Sequence, residues 1–115
     1  MSLKNKKVIL GVTGSVAAYK SAGLARRLTE AGASVHVIMT DASKNFITPL
    51  SLSIASQNKV YSGLFDDPIS HITLTADADV MVIAPATANI IGKFANGIAD
   101  DFLSTCFLSF RGRVV

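Results

Sequence analysis

The sequence KVILGVTGSVAAYKSAGLARRLTEAGASVHVIM occupies residues 7–39 and has the pattern of a strand, a helix and a second strand. Its two ends, Lys7–Val12 and Ser34–Met39, are short apolar runs of the kind found in buried parallel strands. The segment between them, Ser15–Ala31, contains good helix formers and is followed by Gly32, a residue that commonly stops helices. We therefore predict a βαβ unit with a right-handed crossover.

The rest of the chain continues this alternation of strands and helices. Thr48 and Pro49 suit the start of a helix that we place over Pro49–Gln57. A third strand is predicted over Asp79–Ala84, and two further helices over Ala88–Asn96 and Asp100–Phe110. The alternation predicts a single α/β domain over residues 1–115: a doubly wound parallel sheet in a Rossmann-like, or flavodoxin-like, three-layer αβα arrangement.

Composition restricts the classes of protein to be considered. Of the 115 residues 50% are hydrophobic and 17% are charged, which is typical of a folded domain. The net charge is +3, but the basic residues are scattered, so we expect no nucleic-acid partner. No apolar run approaches the about 18 residues that a membrane span needs, so we expect no membrane partner and a soluble, cytoplasmic protein. The single cysteine, Cys106, fits a reducing compartment and predicts no metal site.

Chemistry in such folds is expected beyond the carboxyl ends of the strands. After the first strand, residues 11–15 (GVTGS) bring glycines and hydroxyls to a helix start, a place that suits a phosphate, although the full G-x-G-x-x-G fingerprint is absent. After the second strand, Asp41 is open to two interpretations, because a nicotinamide enzyme uses an acidic residue there for the ribose. After the third strand, residues 85–89 (PATAN) offer small residues and hydrogen-bonding groups to a flat polar ring. The first and third turns also fit a purely structural role.

Four segments together resemble a known family: GVTGSVAAYK (11–20), MTDASKNFITPL (39–50), HITL (71–74) and APATANIIGKFANGIADDFLST (84–105). They are similar to the homo-oligomeric flavin-containing cysteine decarboxylases, and most of all to the decarboxylase domain of bifunctional bacterial phosphopantothenoylcysteine decarboxylase/phosphopantothenate–cysteine ligases. The resemblance covers nearly the whole chain, and its most specific element is PATAN followed by NGIADDFLST.

The resemblance implies FMN as cofactor and His71 as the catalytic base. It implies FMN contacts from nine residues: Gly14, Ser15, Val16, Thr40, Phe46, Thr87, Ala88, Asn89 and Ile90. The family often has threonine at the Ile90 position, so we expect the backbone to make any contact there. The implied reaction is FMN-dependent decarboxylation of phosphopantothenoylcysteine to phosphopantetheine, in coenzyme A synthesis, through a thioaldehyde intermediate.

Alternatives within the same fold are a peptidyl-cysteine decarboxylase, a flavin prenyltransferase and a non-catalytic regulatory flavoprotein. The resemblance also implies a trimer, or a dodecamer built of trimers, with FMN at the subunit contacts. In the family an active cysteine and a Pro-Ala-Met-Asn segment come later than the position of Val115. We therefore expect this 115-residue chain to lack its C-terminal part and to be unable to turn over alone. Cys106 is predicted to be a core thiol, His36 to be structural, and Asp100 and Asp101 to cap a helix.

Overall fold

A parallel sheet forms the centre of the computed structural model, which describes residues 2–63 and 70–115, with residues 70 and 71 described by their backbone alone. Within these residues the sheet has five strands: β1 Lys7–Val12, β2 Ser34–Met39, β3 Val60–Tyr61, β4 Val80–Ile83 and β5 Arg113–Val114. Their order is β3-β2-β1-β4-β5, and every pairing is parallel. The chain moves outward from β1 to β3 and then crosses to β4, so a topological switch point lies between β1 and β4.

Helices cover both faces of this sheet. They are α1 Ser21–Glu30, α2 Pro49–Ser56, α3 Ser70–Ala76, α4 Ala88–Asn96 and α5 Phe102–Ser109. Residues of α1 and α2 share one apolar cluster with β1 and β2, whereas residues of α3, α4 and α5 share a second cluster with the other face of β1, β2 and β4. The predicted doubly wound, three-layer αβα fold is confirmed.

Alternating side chains of β1 divide the core between these two layers. Val8, Leu10 and Val12 pack toward α1 and α2, while Ile9 packs toward α3, α4 and α5. Gly11 follows Leu10 where β1 approaches α5, and a Cβ built on it would lie 2.8 Å from the side chains of both Ile83 and Leu103. Since successive side chains of a strand point to opposite faces, the continuous apolar run of β1 is what a strand buried on both faces requires.

The helix predicted over Ser15–Ala31 is wrong as a single α-helix. A 3₁₀ segment covers Val16–Lys20, and α1 begins only at Ser21. The cause is the competition of two serine hydroxyls for backbone groups, because Ser15 Oγ accepts from Ala17 N at 3.1 Å and Ser21 Oγ donates to Ala18 O at 2.6 Å.

The other predicted strands and helices are present with bounds that differ by at most two residues. The sequence analysis missed β3, α3 and a second 3₁₀ segment, Ala42–Asn45. No helix in the described part of the chain is long and apolar enough to cross a membrane.

Candidate functional site

A polar cleft of about 240 Å³ lies at the carboxyl edge of the sheet, where the loops after β1, β2 and β4 meet. It is lined by Thr13, Thr40, Asp41, Ala42, Thr87, Asn89, Ile90, Lys93, Asp100 and Asp101. These residues follow the strands on both sides of the switch point, which is where open α/β sheets bind ligands. Four of the nine predicted cofactor contacts line this cleft: Thr40, Thr87, Asn89 and Ile90.

The loop after β1 approaches the loop after β2 closely at Gly14. A Cβ built on Gly14 would overlap the Cβ of Ala42 and would lie 3.0 Å from its carbonyl carbon, so a larger residue would separate the two loops. Ser15 is the N-cap of the 3₁₀ segment and is half-buried. Val16 is 72% exposed and does not line the cleft. Gly14 therefore lies against Ala42, a residue that lines the cleft, but none of Gly14, Ser15 and Val16 lines the cleft itself.

The loop after β2 is anchored to β1 through Thr40. Its backbone N–H donates to Val12 O at 3.0 Å, and its carbonyl accepts from Ser43 Oγ at 2.6 Å. Asp41 also lines the cleft, but its side chain is 95% exposed and lies 3.7 Å from Lys44 Nζ. Phe46 is 42% exposed and is not among the lining residues. Of the two predicted contacts on this loop, only Thr40 lies in the cleft.

The loop after β4 leads into the amino terminus of α4. Thr87 is the N-cap, and its Oγ1 accepts from Ile90 N at 3.2 Å. Among the described residues no protein acceptor contacts the amides of Ala88 and Asn89, which are the first two of α4. Ile90 is 1% exposed and its amide is engaged by Thr87, so it contributes apolar surface to the cleft. Two free amides with a favourable helix dipole remain for a ligand.

A charged wall closes the side of the cleft formed by α4 and the start of α5. Lys93 Nζ lies 2.9 Å from Asp100 Oδ1 and 3.5 Å from Asp101 Oδ2. Hydrogen bonding to Asp100 raises the pKa of Lys93 above its usual value, and the same contact lowers the pKa of Asp100. The sequence analysis missed Lys93, although Asp100 and Asp101 follow it by seven and eight residues. Because the ammonium is already paired with two carboxylates, this wall presents no free positive charge.

Asp100 and Asp101, both predicted caps, have different roles. Asp101 is the N-cap of α5: it accepts from Ser104 N at 2.7 Å, and Ser104 Oγ in turn accepts from Asp101 N at 3.1 Å. Asp100 is one residue earlier and pairs with Lys93 instead. The capping prediction is therefore confirmed for Asp101 and wrong for Asp100.

The two histidines and the cysteine complete the predicted chemical groups. The backbone of His71 lies in α3, but its side chain is outside the described residues, so its catalytic role stays a prediction. His36 lies in β2, 3.0 Å from Ser34 Oγ through Nε2, and partial burial lowers its pKa. Cys106 is fully buried in the core, as predicted. In the described part of the chain no group of three or more His, Cys, Asp or Glu side chains could hold a metal ion.

A parallel doubly wound sheet with a polar cleft at its switch point defines a ligand-binding domain of the Rossmann-like class. The chain belongs to the Flavoprotein family, whose pattern matches residues 1–114.

Three comparisons illustrate its similarity to known proteins. It is 48% identical over 113 residues to the coenzyme A biosynthesis bifunctional protein CoaBC of Escherichia coli (strain K12), covering 95% of this chain and 28% of that protein. It is 46% identical over 108 residues to a probable phosphopantothenoylcysteine decarboxylase of Streptococcus mutans, covering 90% of this chain and 60% of that protein. The crystal structure of the FMN-dependent cysteine decarboxylase SpaF superposes with a TM-score of 0.88 at 29% identity, covering 98% of this chain and 67% of that one. The chain thus spans less than two thirds of the length of these two curated relatives.

Proposed function

We propose that this chain binds FMN and is the decarboxylase domain of an enzyme that converts phosphopantothenoylcysteine to phosphopantetheine in the cytoplasm. One observation carries the proposal: three loops meet at the switch point around a cleft that offers hydroxyls, a side-chain amide and two unused backbone amides. FMN needs such donors for its phosphate, ribityl and ring oxygen atoms. The names and identities of the relatives support the same conclusion, because both curated relatives are named for coenzyme A biosynthesis or for this decarboxylase.

The donor set of the cleft fits a flavin mononucleotide. The absence of a side chain at Gly14 allows the loop after β1 to pack against Ala42, and Ser15 follows it as the N-cap of the 3₁₀ segment. We assign the phosphate to this first loop, because the carboxylates of Asp100 and Asp101 on the opposite wall disfavour a second anion. Thr40, Thr87, Ala88 and Asn89 remain for the ribityl chain and the ring. FMN has no second nucleotide, so no ribose needs the Asp41 carboxylate as a partner. This weakens the alternative of a nicotinamide-dependent enzyme.

Each side chain then has a simple task in the reaction. When bound, oxidised FMN supplies an acceptor for the hydride on the carbon that bears sulfur. The thioaldehyde of the substrate that results can release carbon dioxide, because the carboxylate lies β to a C=S group, and an enethiolate is left. The hydride would then return from the reduced cofactor to this enethiolate together with a proton, so that the product is the thiol phosphopantetheine and no net oxidant is consumed. Asn89 and Thr87 orient the ring, and buried Ile90 excludes water on one side. His71 is the proposed base, since an imidazole titrates near neutral pH and can accept the thiol proton.

A homo-oligomer, a trimer or a dodecamer of trimers, is part of the proposal. The cleft formed by the described residues, about 240 Å³, is smaller than the roughly 300–1,000 Å³ of ordinary cofactor pockets, which is in line with further surface from another copy of the chain. Val16 and Phe46, two of the predicted contacts, are exposed outside the cleft, where a second copy could cover them together with the ligand. This is the arrangement expected of a cofactor held at a subunit contact.

The cofactor is tested by titrating FMN into the purified flavin-free protein. We expect saturable quenching of flavin fluorescence with one FMN per chain and a yellow protein after gel filtration. A nicotinamide dinucleotide, added as the control ligand, should not compete with FMN. If the folded protein takes up no FMN, the proposed function is wrong.

The reaction is tested in the natural protein with two substrates, phosphopantothenoylcysteine and a peptide that ends in cysteine. Carbon dioxide is expected from the first only, and His71→Asn should abolish its release while FMN remains bound. Release from the peptide would favour the peptidyl-cysteine decarboxylases. Release from neither substrate, with FMN bound, would favour the regulatory flavoproteins.

A further inference from the structure

Thr13 carries a buried hydroxyl directly after β1; it belongs to the predicted segment 11–15 but is not among the nine implied FMN contacts. Thr13 is only 1% exposed, and it lines the cleft. Thr13 Oγ1 donates to Pro85 O at 2.5 Å and accepts from Thr87 N at 3.1 Å. A single hydroxyl therefore bonds twice to the loop after β4, across the switch point from its own strand.

These two bonds control the start of α4. Three residues, 84–86, separate the end of β4 from the helix cap Thr87, and the hydroxyl of Thr13 binds both Pro85 within this turn and Thr87 at its end. Thr87 is then held as the N-cap, in extended backbone with φ −79° and ψ 159°, and its own Oγ1 binds Ile90 N at 3.2 Å. Because Ile90 N is engaged by the cap, the amides of Ala88 and Asn89 are the ones left for a ligand.

The neighbouring residue ties in the remaining loop. Val12 O accepts from Thr40 N at 3.0 Å, so residues 12 and 13 together anchor the loops after β2 and β4 to β1. The other side chains of β1 that face the helices are apolar, and the core there needs no hydroxyl. A valine at position 13 would fill almost the same volume, so the hydroxyl itself calls for an explanation.

We propose that Thr13 is a positioning residue of the FMN site, whose hydroxyl holds the loop after β4 in register with the loop after β1. This inference rests on the proposed function. Thr13 acts through Thr87 and the amides of α4, and it is not itself assigned a contact with the reacting atoms. Its role is to set where the amides and the Asn89 side chain stand relative to Gly14 and Ser15 before the ligand arrives.

The test compares Thr13→Val, which removes the hydroxyl at nearly constant volume, with Thr13→Ser, which keeps it. We expect Thr13→Val to raise the Kd for FMN by about tenfold or more, since two partly buried backbone groups lose their bond and the loop is released. Thr13→Ser should stay within about threefold of the wild type for the same reason. The visible absorption band of bound FMN should change shape in Thr13→Val and not in Thr13→Ser, because ring contacts shift when the amides move.

A matched control is Thr29→Val. The Thr29 hydroxyl also makes two backbone bonds, to Ala25 O at 2.8 Å and to Ala55 O at 3.3 Å, but it joins α1 to α2 away from the cleft. This variant should lower the melting temperature and leave the Kd and the spectrum of bound FMN unchanged. If Thr29→Val weakens FMN as much as Thr13→Val, general destabilisation explains the result and the positioning role is wrong.

Two further outcomes separate this inference from the function on which it rests. Wild-type protein that binds FMN, with Thr13→Val binding equally tightly and with an unchanged spectrum, overturns the role of Thr13 alone. Folded wild-type protein that binds no FMN overturns both. Should Thr13→Val fail to fold, Thr13→Ser is compared with Thr13→Ala, which differs from it by the hydroxyl oxygen only. Equal FMN affinity of that pair overturns the inference, and a loss confined to Thr13→Ala supports it.

Discussion

The thiol of Cys106 is expected to be chemically inert in the folded protein. It is fully buried, and burial, with a smaller contribution from Asp101, raises its pKa to about 12. Since the thiolate is the reactive form, iodoacetamide at pH 8 should leave Cys106 unmodified in native protein and modify it in urea. Mass spectrometry measures both states, and the urea sample is the control. Rapid modification of the native protein would contradict the buried core position of Cys106.

Gly14→Ala should weaken FMN binding for a steric reason alone, because the substitution changes neither a charge nor a hydroxyl. The new Cβ overlaps Ala42, and because part of the obstacle is backbone, the loops after β1 and β2 must separate. We expect about a tenfold higher Kd for FMN, measured by fluorescence titration. Gly23→Ala is the control: Gly23 lies in the first turn of α1, and its Cβ would meet nothing within 4 Å, so the substitution should stabilise the fold by up to about 1 kcal/mol and leave the Kd unchanged. An unchanged Kd in Gly14→Ala would remove the first loop from the site.

The predicted site residues show which parts of a site a sequence can reveal. Thr40, Thr87 and Asn89 lie in the loops and helix start that follow β2 and β4, so strand prediction located their segments and the family resemblance singled out these residues. Thr13 lies in the segment 11–15 that the sequence singled out, but its bond to Pro85 joins residues 72 apart and is not visible in sequence, and nothing in a local pattern shows that Lys93 and Asp101 face the cleft. Val16 and Phe46 came from family resemblance, and a single chain offers no partner surface that could bring them to a ligand.

At the scale of elements, the hydrophobic periodicity of the sequence predicted the strands and helices whose position is determined by burial of their apolar side chains. β1, β2 and α4 have the predicted bounds because their apolar patterns are continuous or amphipathic and their ends carry caps or glycines. The start of α1 was misplaced because the hydroxyls of Ser15 and Ser21 bind nearby backbone groups and favour a 3₁₀ segment there. β3 was missed because a strand of two residues, Val60–Tyr61, carries no period; only its pairing with Val37 and Ile38 of β2 makes it a strand.

The pair of Lys93 and Asp100, which joins α4 to the start of α5, should give a pH-dependent contribution to stability. The pKa of Asp100 is lowered in the folded state, so this contribution is present above the ordinary carboxylate pKa of about 4 and is lost as pH falls through the lower folded value. The pKa of Lys93 is raised, so the contribution is present below the ordinary lysine pKa of about 10.4 and is lost as pH rises through the higher folded value.

Lys93→Met measures this contribution directly. The variant should be less stable than the wild type in urea unfolding at pH 7, by a small amount because Asp100 is 58% exposed, and the difference should shrink below pH 4. Asp100→Asn should behave in the same way, whereas the double variant should lose little more than either single one. Additive losses from the two substitutions at pH 7 would mean that the two side chains stabilise the fold independently.

At the scale of the whole molecule, the surface carries large apolar side chains that the core does not use. Leu50 and Ile54 are 68% and 64% exposed, and their spacing of four residues puts them side by side on one face of α2. Tyr19, in the first 3₁₀ segment, is 60% exposed as well. A folded monomer gains nothing from such groups in water, whereas a second copy of the chain could bury them. This surface supports the proposed homo-oligomer independently of the size of the cleft.

Leu50→Glu combined with Ile54→Glu should therefore dissociate the oligomer. In the oligomer the two new carboxylates would be buried without partners, which strongly disfavours association. In the monomer they are exposed to water, so the stability of α2 changes little. Sedimentation velocity should show the wild type as a trimer or a larger assembly and the double variant as a monomer with unchanged circular dichroism. Gln57→Glu, at the end of the same helix, adds charge without removing an apolar group and should leave the assembly intact. If FMN lies at the subunit contact, the monomeric variant must also lose FMN affinity. A monomeric variant with full FMN affinity would place the whole cofactor within one chain. A double variant that stays assembled would show that this face of α2 is not part of the contact.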